Sequence, residues 1–232
     1  MSKSKMPESD PEHKNSVKDI FSAARTEFGQ NGLSGARIAD IAKRCGKTRQ
    51  LIYHYYESKE DLFAEVVWDS LQTSLSNMLA EDYDSMEPMA AFYRFLYTMS
   101  EQYRLHPDFV SIMLEESIQG GLHISSRKKL RAVSQPVIDT LRRIIERGAA
   151  SGVFRRDIEL EKLYAASFAV LSASSLTGGV LSAVLCVDMQ SESGMDDWRD
   201  YAIEFVMKSV RAPNVEARAM PLRADRTPAE QL

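Results

Sequence analysis

Apolar residues recur at helical spacing along most of this chain, and that pattern limits the folds open to it more than any other feature. At the N-terminal end, Val17, Ile20, Ala24 and Phe28 fall on one face of a helix. No stretch of strand length alternates apolar and polar residues in a convincing way, and no segment repeats. The sequence therefore predicts an all-α fold.

Capping and breaking residues divide this pattern into separate helices. A break at Gly29 to Gly32 follows the first helix, and Gly46 ends a short second one. Thr48 is a good N-cap for a short third helix, and Ser58 for a long fourth one. Five more helices are predicted at about 86–105, 107–119, 125–150, 159–186 and 196–211.

The composition is that of an ordinary globular protein, but its charge is unevenly distributed. Residues 1–60 carry 11 basic and 8 acidic residues, whereas the rest of the chain carries 18 and 25. This division favours a nucleic-acid-facing N-terminal end. The two cysteines, Cys45 and Cys186, form no CxxC pair, and Met1 to Asn15 contain no apolar signal-peptide core. A reducing, cytoplasmic location is therefore expected.

The segment from Arg37 to Lys59 carries the most specific signal. Its short helix, its turn at Gly46 and its second short helix have the layout of a helix-turn-helix. Five side chains can close the core between the two helices: Ile38, Ile41, Ala42, Leu51 and Ile52. The outer face of the second helix then carries Thr48, Arg49, Gln50, Tyr53 and His54. These side chains suit base edges and phosphates. The number of aromatic rings beside them disfavours a helical hairpin whose polar face is only solvated.

At these residues the chain resembles the TetR family of transcriptional regulators. The resemblance runs from Ile20 to Phe63 and includes many spaced positions: Ala24, Phe28, Gly32, Ile41, Ala42, Gly46, Thr48, the aromatic residues from Tyr53 to Tyr56, Ser58, Lys59 and Leu62. It implies an N-terminal three-helix domain with a helix-turn-helix, followed by a larger helical ligand-binding and dimerisation domain. It also implies a repressor that is released from a palindromic operator by a small apolar or amphipathic ligand.

The resemblance further implies which side chains face DNA. They are the outer-face residues Thr48, Arg49, Gln50, Tyr53 and His54, together with Arg37 at the start of the segment. Lys59 is expected to bind phosphate beside the first amides of the fourth helix.

Three positions depart from the family pattern. Ala36 stands where a capping Ser or Thr is usual, so Ser34 is expected to supply the cap. Gln50 replaces a common Gly or Ala and is expected to add a base contact. Cys45 replaces a common Ala and is expected to pack as a small buried side chain.

The predicted division comprises a flexible N-terminus at 1–14, a DNA-binding domain at 15–58, a ligand-binding and dimerisation domain at 59–211 and a disordered tail at 212–232. The expected partners are double-stranded DNA, a second copy of the chain and a small molecule. No cofactor, metal ion or membrane is expected.

A homodimer is predicted because one recognition helix contacts too few base pairs for a regulator, and two-fold symmetry doubles the site. The helices of 159–186 and 196–211 are the expected interface. Small residues should let the helices approach there: Ser167, Ala173 and Ser174. The expected anchors are Phe168, Trp198, Tyr201 and Phe205, and a charge at Phe205 or Leu171 should dissociate the dimer.

A largely apolar ligand is predicted among the helices of 60–175. The candidate ligand-binding residues are Trp68, Tyr97, Glu101, Met113, Glu116, Arg131, Phe168 and Ser172. Aromatic and methionine side chains fill helical cores equally well. A TetR-like DNA-binding protein without an inducer therefore remains an open alternative.

Two other classes fit the sequence less well. The uncharged stretch from Leu163 to Val187 has the length of a membrane span, but its many serines and the expected interruption at Gly178-Gly179 favour a buried helix. For an enzyme, the chain offers no GxSxG, no Walker A loop and no dinucleotide fingerprint. Its four histidines have no metal-ligand spacing with the cysteines.

Overall fold

The computed structural model describes residues 11–123 and 127–213. Within these ranges the chain forms ten α-helices: α1 Pro11–Gly35, α2 Ile38–Cys45, α3 Arg49–Tyr55, α4 Lys59–Met78, α5 Pro88–Leu105, α6 Pro107–Ile118, α7 Arg127–Ala150, α8 Leu160–Leu171, α9 Ala173–Leu185 and α10 Glu192–Val210. A single 3-10 turn, Tyr83–Ser85, joins α4 to α5. The all-α prediction is confirmed.

Local side-chain chemistry explains where several helices begin. The Ser58 Oγ accepts a hydrogen bond from the Asp61 amide at 3.0 Å, and the Ser191 Oγ accepts one from the Gly194 amide at 3.1 Å. Pro107 occupies the first turn of α6, where its missing N–H costs nothing. The cap at Ser191 starts the last helix at Glu192, four residues before the predicted start.

The prediction of one helix over 159–186 is wrong, because α8 and α9 are separate helices bent by 48°. The bend lies at Ser172, whereas Gly178 and Gly179, the expected interruption, are inside α9. Ser172 is buried, and its hydroxyl donates to the Phe168 carbonyl at 2.7 Å. A serine that bonds back to the preceding turn in this way tends to bend a helix.

The described structure extends into both of the terminal segments that the sequence predicted, 1–14 and 212–232. The predicted flexible segment 1–14 overlaps α1, which begins at Pro11, and residues 1–10 lie outside the described ranges. At the other end, the Ala212 amide donates to the Val153 carbonyl at 3.1 Å, so the chain is held at the first residue of the predicted tail. Residues 214–232 lie outside the described ranges.

The buried side chains form two apolar clusters. The first, which we call the N-terminal core, joins α1, α2 and α3 to the first half of α4, and it also includes Ile112 of α6. The second, the body core, lies among α5, α7, α8 and α10, with Leu75 and Met78 from the end of α4. The helix α4 therefore runs from one core into the other. Helix α6 packs between the two cores.

The length and apolarity of the described helices bear on the membrane alternative. Among the described residues, no single helix is both long enough and apolar enough to cross a membrane. The bent pair α8–α9 meets both conditions only when its two helices are taken together.

Candidate DNA-binding site

The turn between α2 and α3 is closed by backbone hydrogen bonds around Gly46. The Lys47 amide donates to the Ala42 carbonyl at 3.0 Å, and the Gly46 amide donates to the Lys43 carbonyl at 3.4 Å. This pair of bonds is the Schellman pattern of helix ends. Gly46 has a φ of 65°, a left-handed conformation that residues with a Cβ adopt at a cost. The glycine therefore sets the direction in which α3 leaves the turn.

Helix α3 is fixed at its start by Thr48 and along its inner side by Ile52. The Thr48 Oγ1 accepts a hydrogen bond from the Leu51 amide at 3.1 Å, which confirms the predicted N-cap. Ile52 is buried in the N-terminal core together with Ile41 and Ala42. While the Thr48 hydroxyl accepts from the Leu51 amide, it keeps its own proton to donate to an acceptor such as a DNA phosphate.

The outer side of α3 carries the predicted DNA-facing side chains in one exposed group. Arg49, Gln50, Tyr53 and His54 are all exposed, and 53% of the Tyr53 surface is open to solvent. A large aromatic residue left this open on a seven-residue helix offers stacking and apolar contact to a partner. The structure thus brings these four side chains together on a surface that protrudes from the N-terminal core.

The basic side chains around α3 divide into two groups. Arg44 pairs with the buried Glu27 of α1 at 3.4 Å, and Lys47 pairs with Asp19 of α1 at 3.4 Å. These two pairs tie α2 and the turn to α1. Arg37 and Arg49 are exposed and make no salt bridge within the described ranges, so their charge is available to a polyanion.

Lys59 has a structural contact that the sequence did not indicate. Its Nζ donates to the Ala36 carbonyl at 3.1 Å and to the Ser34 carbonyl at 3.5 Å. These bonds hold the link between α1 and α2 against the start of α4. An ammonium group has three N–H donors, so one is left for a phosphate.

Two of the departures from the family pattern differ from their predictions. Ser34 lies within α1, whereas Arg37 is the N-cap of α2 and makes no side-chain capping bond, so the expected cap by Ser34 is wrong. Cys45 is half-buried against the N-terminal core rather than fully buried, because it occupies the last turn of α2 at the edge of the domain.

The tyrosines that follow the outer face have distinct surroundings. Tyr56 is buried in the N-terminal core, and its ring meets Phe21 edge-on at 6.0 Å. Burial, with the nearby carboxylates of Glu65 and Asp61 second, holds the pKa of Tyr56 well above its ordinary range. Its phenol is therefore a neutral core group. Among Tyr53, Tyr55 and Tyr56, only Tyr53 is exposed.

The eight candidate ligand-binding residues are spread over α4, α5, α6, α7, α8 and the α8–α9 bend. Three occupy the interior of the protein in separate places: Trp68 on α4, Glu116 on α6 and Ser172 at the α8–α9 bend. The Glu116 carboxylate accepts from the His123 amide at 2.8 Å and contacts the His123 Nδ1 at 2.8 Å. Arg131 and Phe168 are exposed, and Met113 is half-buried between the two cores.

The remaining two candidates belong to a polar network between α5 and α10. Glu101 pairs with Arg104 at 2.6 Å and with Arg199 at 3.3 Å. The Arg199 guanidinium also lies 5.0 Å from the centre of the Tyr97 ring. Hydrogen bonds and charge from these arginines outweigh the opposing effect of burial and lower the pKa of Glu101. Glu101 and Tyr97 thus have partners within the chain.

The predicted interface residues separate into outward and inward sets. Tyr201 and Phe205 on α10 are 59% and 55% exposed, and their rings lie 6.4 Å apart. Phe168 on α8 and Val180 and Val184 on α9 are also exposed apolar side chains. We call these five residues the α8–α10 face.

The inward residues correct the predicted interface, because the side of α8 that carries Ser167 faces the body core. Ser167 and Leu171 are buried, and Ser174 is buried at the start of α9. The Trp198 indole donates to the Val170 carbonyl at 3.0 Å, within the same chain. A charge at Leu171 would therefore disrupt the fold rather than a subunit contact.

Comparison with known proteins agrees with this geometry. The family described as "Bacterial regulatory proteins, tetR family" matches residues 20–66, and the family "Tetracyclin repressor-like, C-terminal domain" matches residues 88–206. The chain is 30% identical to the HTH-type transcriptional repressor NicS of Pseudomonas putida over 199 residues, which cover 83% of this chain and 91% of that protein. It is 26% identical to the HTH-type transcriptional repressor AcnR of Corynebacterium jeikeium, covering 84% and 92%.

Solved structures show the same fold. A TetR family transcription regulator from Marinobacter aquaeolei superposes with a TM-score of 0.63 at 14% identity, over 87% of this chain and 98% of that one. The regulator PfmR from Thermus thermophilus superposes with a TM-score of 0.62 at 20% identity, over 82% and 97%. With both family models matched and its helix-turn-helix exposed, the chain belongs to the TetR family of bacterial transcriptional regulators.

Proposed function

We propose that this protein is a homodimeric transcriptional repressor that binds a palindromic operator in the cytoplasm and leaves it when a small molecule binds. One observation carries the proposal: α3 is capped and supported from inside, while all its side chains suited to DNA are exposed together. A short helix in this arrangement has the shape of a recognition helix in the major groove. Relatives of similar length are named repressors, which supports the direction of regulation.

The proposed roles on DNA follow from position and exposure. Arg49, Gln50 and Tyr53 read base edges, since a guanidinium and an amide match the donor and acceptor patterns of guanine and adenine. Arg37, Thr48 and His54 contact phosphates at the edges of the groove. Lys59 supplies one N–H to a phosphate from the start of α4 while its other donors hold the link before α2.

The proposed dimer is supported by the α8–α10 face. Five apolar side chains that stay open to water on three successive helices form a patch of the kind that marks an association surface. A two-fold axis through this face places a second copy of α3 for the other half of a palindrome. The sequence predicted the helices involved and three of the exposed anchors, Phe168, Tyr201 and Phe205.

The proposed release by a small molecule rests on α4, because this helix belongs to both cores. Lys59 at its start touches the link before α2, whereas Leu75 and Met78 at its end lie in the body core. A ligand that shifts the far half of α4 also shifts the N-terminal core. The alternative, a member of the family without an inducer, is supported by Glu101 and Tyr97, two of the candidate ligand-binding residues that already have partners within the chain.

The experiment begins with selection of an operator from random double-stranded DNA by the full-length protein. Enrichment of a palindrome, with half-sites about one helical turn or ~34–36 Å apart, is the expected result. Retardation of that operator by the wild type and by an Arg49→Ala, Tyr53→Ala double variant then tests α3. Equal binding by the two proteins would contradict the assignment of α3 as the recognition helix.

A further inference from the structure

A cleft of about 460 Å³ lies at the edge of the region predicted for a ligand, between α1, α4 and the turn from α5 to α6. Its volume is in the range of sites for small organic molecules. None of the eight candidate ligand-binding residues lines it. Its walls combine polar side chains from α1 and α4 with the apolar side chains of Phe21 and Phe109.

Two donor atoms on residues that line this cleft have no hydrogen-bond partner among the described residues. Ser70 on α4 is only 4% exposed, and its Oγ is buried without a hydrogen bond. Arg25 on α1 binds Asp69 through a terminal nitrogen, but its Nε is also buried and unpartnered. Only three buried side-chain polar atoms lack a partner in the part of the chain that the structure describes, and two of them belong to residues that line this cleft. Such groups are rare because their loss of hydration is uncompensated.

The chemistry of these two groups indicates what would complete them. Arg25 Nε can only donate a hydrogen bond, and the Ser70 hydroxyl can donate one as well. Lys18 adds a cation at the cleft wall, whereas the Asp69 carboxylate is already paired with Arg25. The other lining carboxylate, Asp108, stands in the first turn of α6, where the amide dipoles favour its charge. The partner that fits these two donors is therefore an oxyanion.

We propose that this cleft binds a small organic carboxylate, with its oxygens on the Arg25 and Ser70 side chains and its apolar part against Phe21 and Phe109. A carboxylate offers about four acceptor positions, so it can satisfy both donors at once. Charge-assisted hydrogen bonds of this kind are shorter and stronger than neutral ones.

The position of the cleft links it to DNA binding, and this link rests on the proposed function. Helix α1 belongs to the N-terminal core, and close packing joins it to α6 beside the cleft, since a Cβ at Gly29 would lie 2.8 Å from the Asp108 Oδ1. A molecule in the cleft alters how α1, α4 and the α5–α6 turn pack against one another. The bound carboxylate and operator DNA must then change each other's affinity by the same factor.

The test is calorimetric titration of the full-length protein with hexanoate in the absence of DNA. Hexan-1-ol and hexylamine, which share the chain length, serve as neutral and cationic controls. Hexanoate should bind at least tenfold more tightly than the alcohol, and hexylamine should not bind. Failure of hexanoate to bind, or tighter binding of hexylamine, would overturn the proposal and assign the polar wall to Asp69 and Asp108.

Ser70→Ala should raise the hexanoate Kd at least tenfold, a change of ~1.4 kcal/mol. The apo variant should melt at the wild-type temperature or above it, because the change removes an unsatisfied buried hydroxyl. Ser167→Ala is the matched control, since this equally buried serine donates to the Leu163 carbonyl at 2.7 Å and is remote from the cleft. It should leave the hexanoate Kd unchanged.

Thr73→Phe provides a second variant that should fold normally, because Thr73 is an exposed residue of α4 at the cleft wall. Its ring should fill the cleft and also raise the Kd at least tenfold. Wild-type Kd values for both Thr73→Phe and Ser70→Ala would overturn the proposal. Operator retardation without hexanoate is measured separately, so a failure of the proposed DNA-binding function is distinguishable from a failure of the cleft.

Discussion

The outer face of α3, proposed to bind DNA, and the α8–α10 face, proposed to join two copies of the chain, differ in their chemistry. Helix α3 exposes Arg49, Gln50 and His54, which water solvates well when no DNA is present. Helix α10 exposes Tyr201 and Phe205, whose apolar area stays unfavourably hydrated until another surface covers it. The difference teaches that α3 is suited to a contact made and broken repeatedly, whereas the α8–α10 face is suited to a lasting one.

The largest effect is expected from Phe205→Asp, which would break the lasting contact. A charge in the centre of the α8–α10 face should yield a monomer by sedimentation. Operator affinity should then fall on the order of 10³-fold or more, toward the level of non-specific binding, because one of two half-sites is lost.

Ile118→Asp is the matched control for that experiment. Ile118 on α6 is 74% exposed, but it does not lie on the α8–α10 face. This variant should remain a dimer with wild-type operator affinity. A Phe205→Asp protein that stays dimeric would remove the distinction between the two surfaces.

Leu171→Ala tests whether Leu171 on α8 belongs to the core or to the subunit contact. Leu171 is 3% exposed, so its truncation should lower the free energy of unfolding by about 2–5 kcal/mol. Chemical denaturation measures this loss, and sedimentation of the folded fraction should still report a dimer. Dissociation without loss of stability would place Leu171 on the subunit contact.

Arg49→Ala should weaken operator binding by ~1–3 kcal/mol while affecting unrelated DNA much less, because a base contact is lost. Arg156→Ala, a change at an exposed arginine between α7 and α8, is the control and should bind as the wild type does. An equal loss on operator and on unrelated DNA would indicate that Arg49 contacts phosphate instead.

Thr48→Ala should lower the free energy of unfolding by about 1 kcal/mol, because the α3 N-cap is lost. Thr48→Ser keeps the hydroxyl and should retain most of that stability. If the alanine and serine variants melted at the same temperature, the bond from the Leu51 amide would contribute nothing measurable to α3.

Lys59→Ala is expected to have the smallest effect on operator recognition. Loss of one phosphate contact should reduce the slope of log affinity against log salt by about 0.9 and weaken binding to all sequences alike. An unchanged slope with a lower melting temperature would show that Lys59 only holds the link between α1 and α2.

Local sequence chemistry predicted the helix-turn-helix well. The Gly46 turn, the Thr48 cap and the Ser58 cap depend on residues within a few positions of one another, so their spacing alone indicates them. The same holds for Pro107 at the start of α6. The bend between α8 and α9 was not predicted, because propensity and capping do not show that Ser172 is buried and bonds back to the Phe168 carbonyl.

The outer face of α3 was therefore determined by the sequence itself, since on a short amphipathic helix the polar side must be the one exposed. The inward set of α8, the Lys59 contacts and the donors of the cleft were decided only by the tertiary structure. Arg25 and Ser70 are 45 positions apart, and Lys59 lies 25 positions after Ser34. Helical spacing shows which residues share a face, but only the packing of whole helices decides what that face meets.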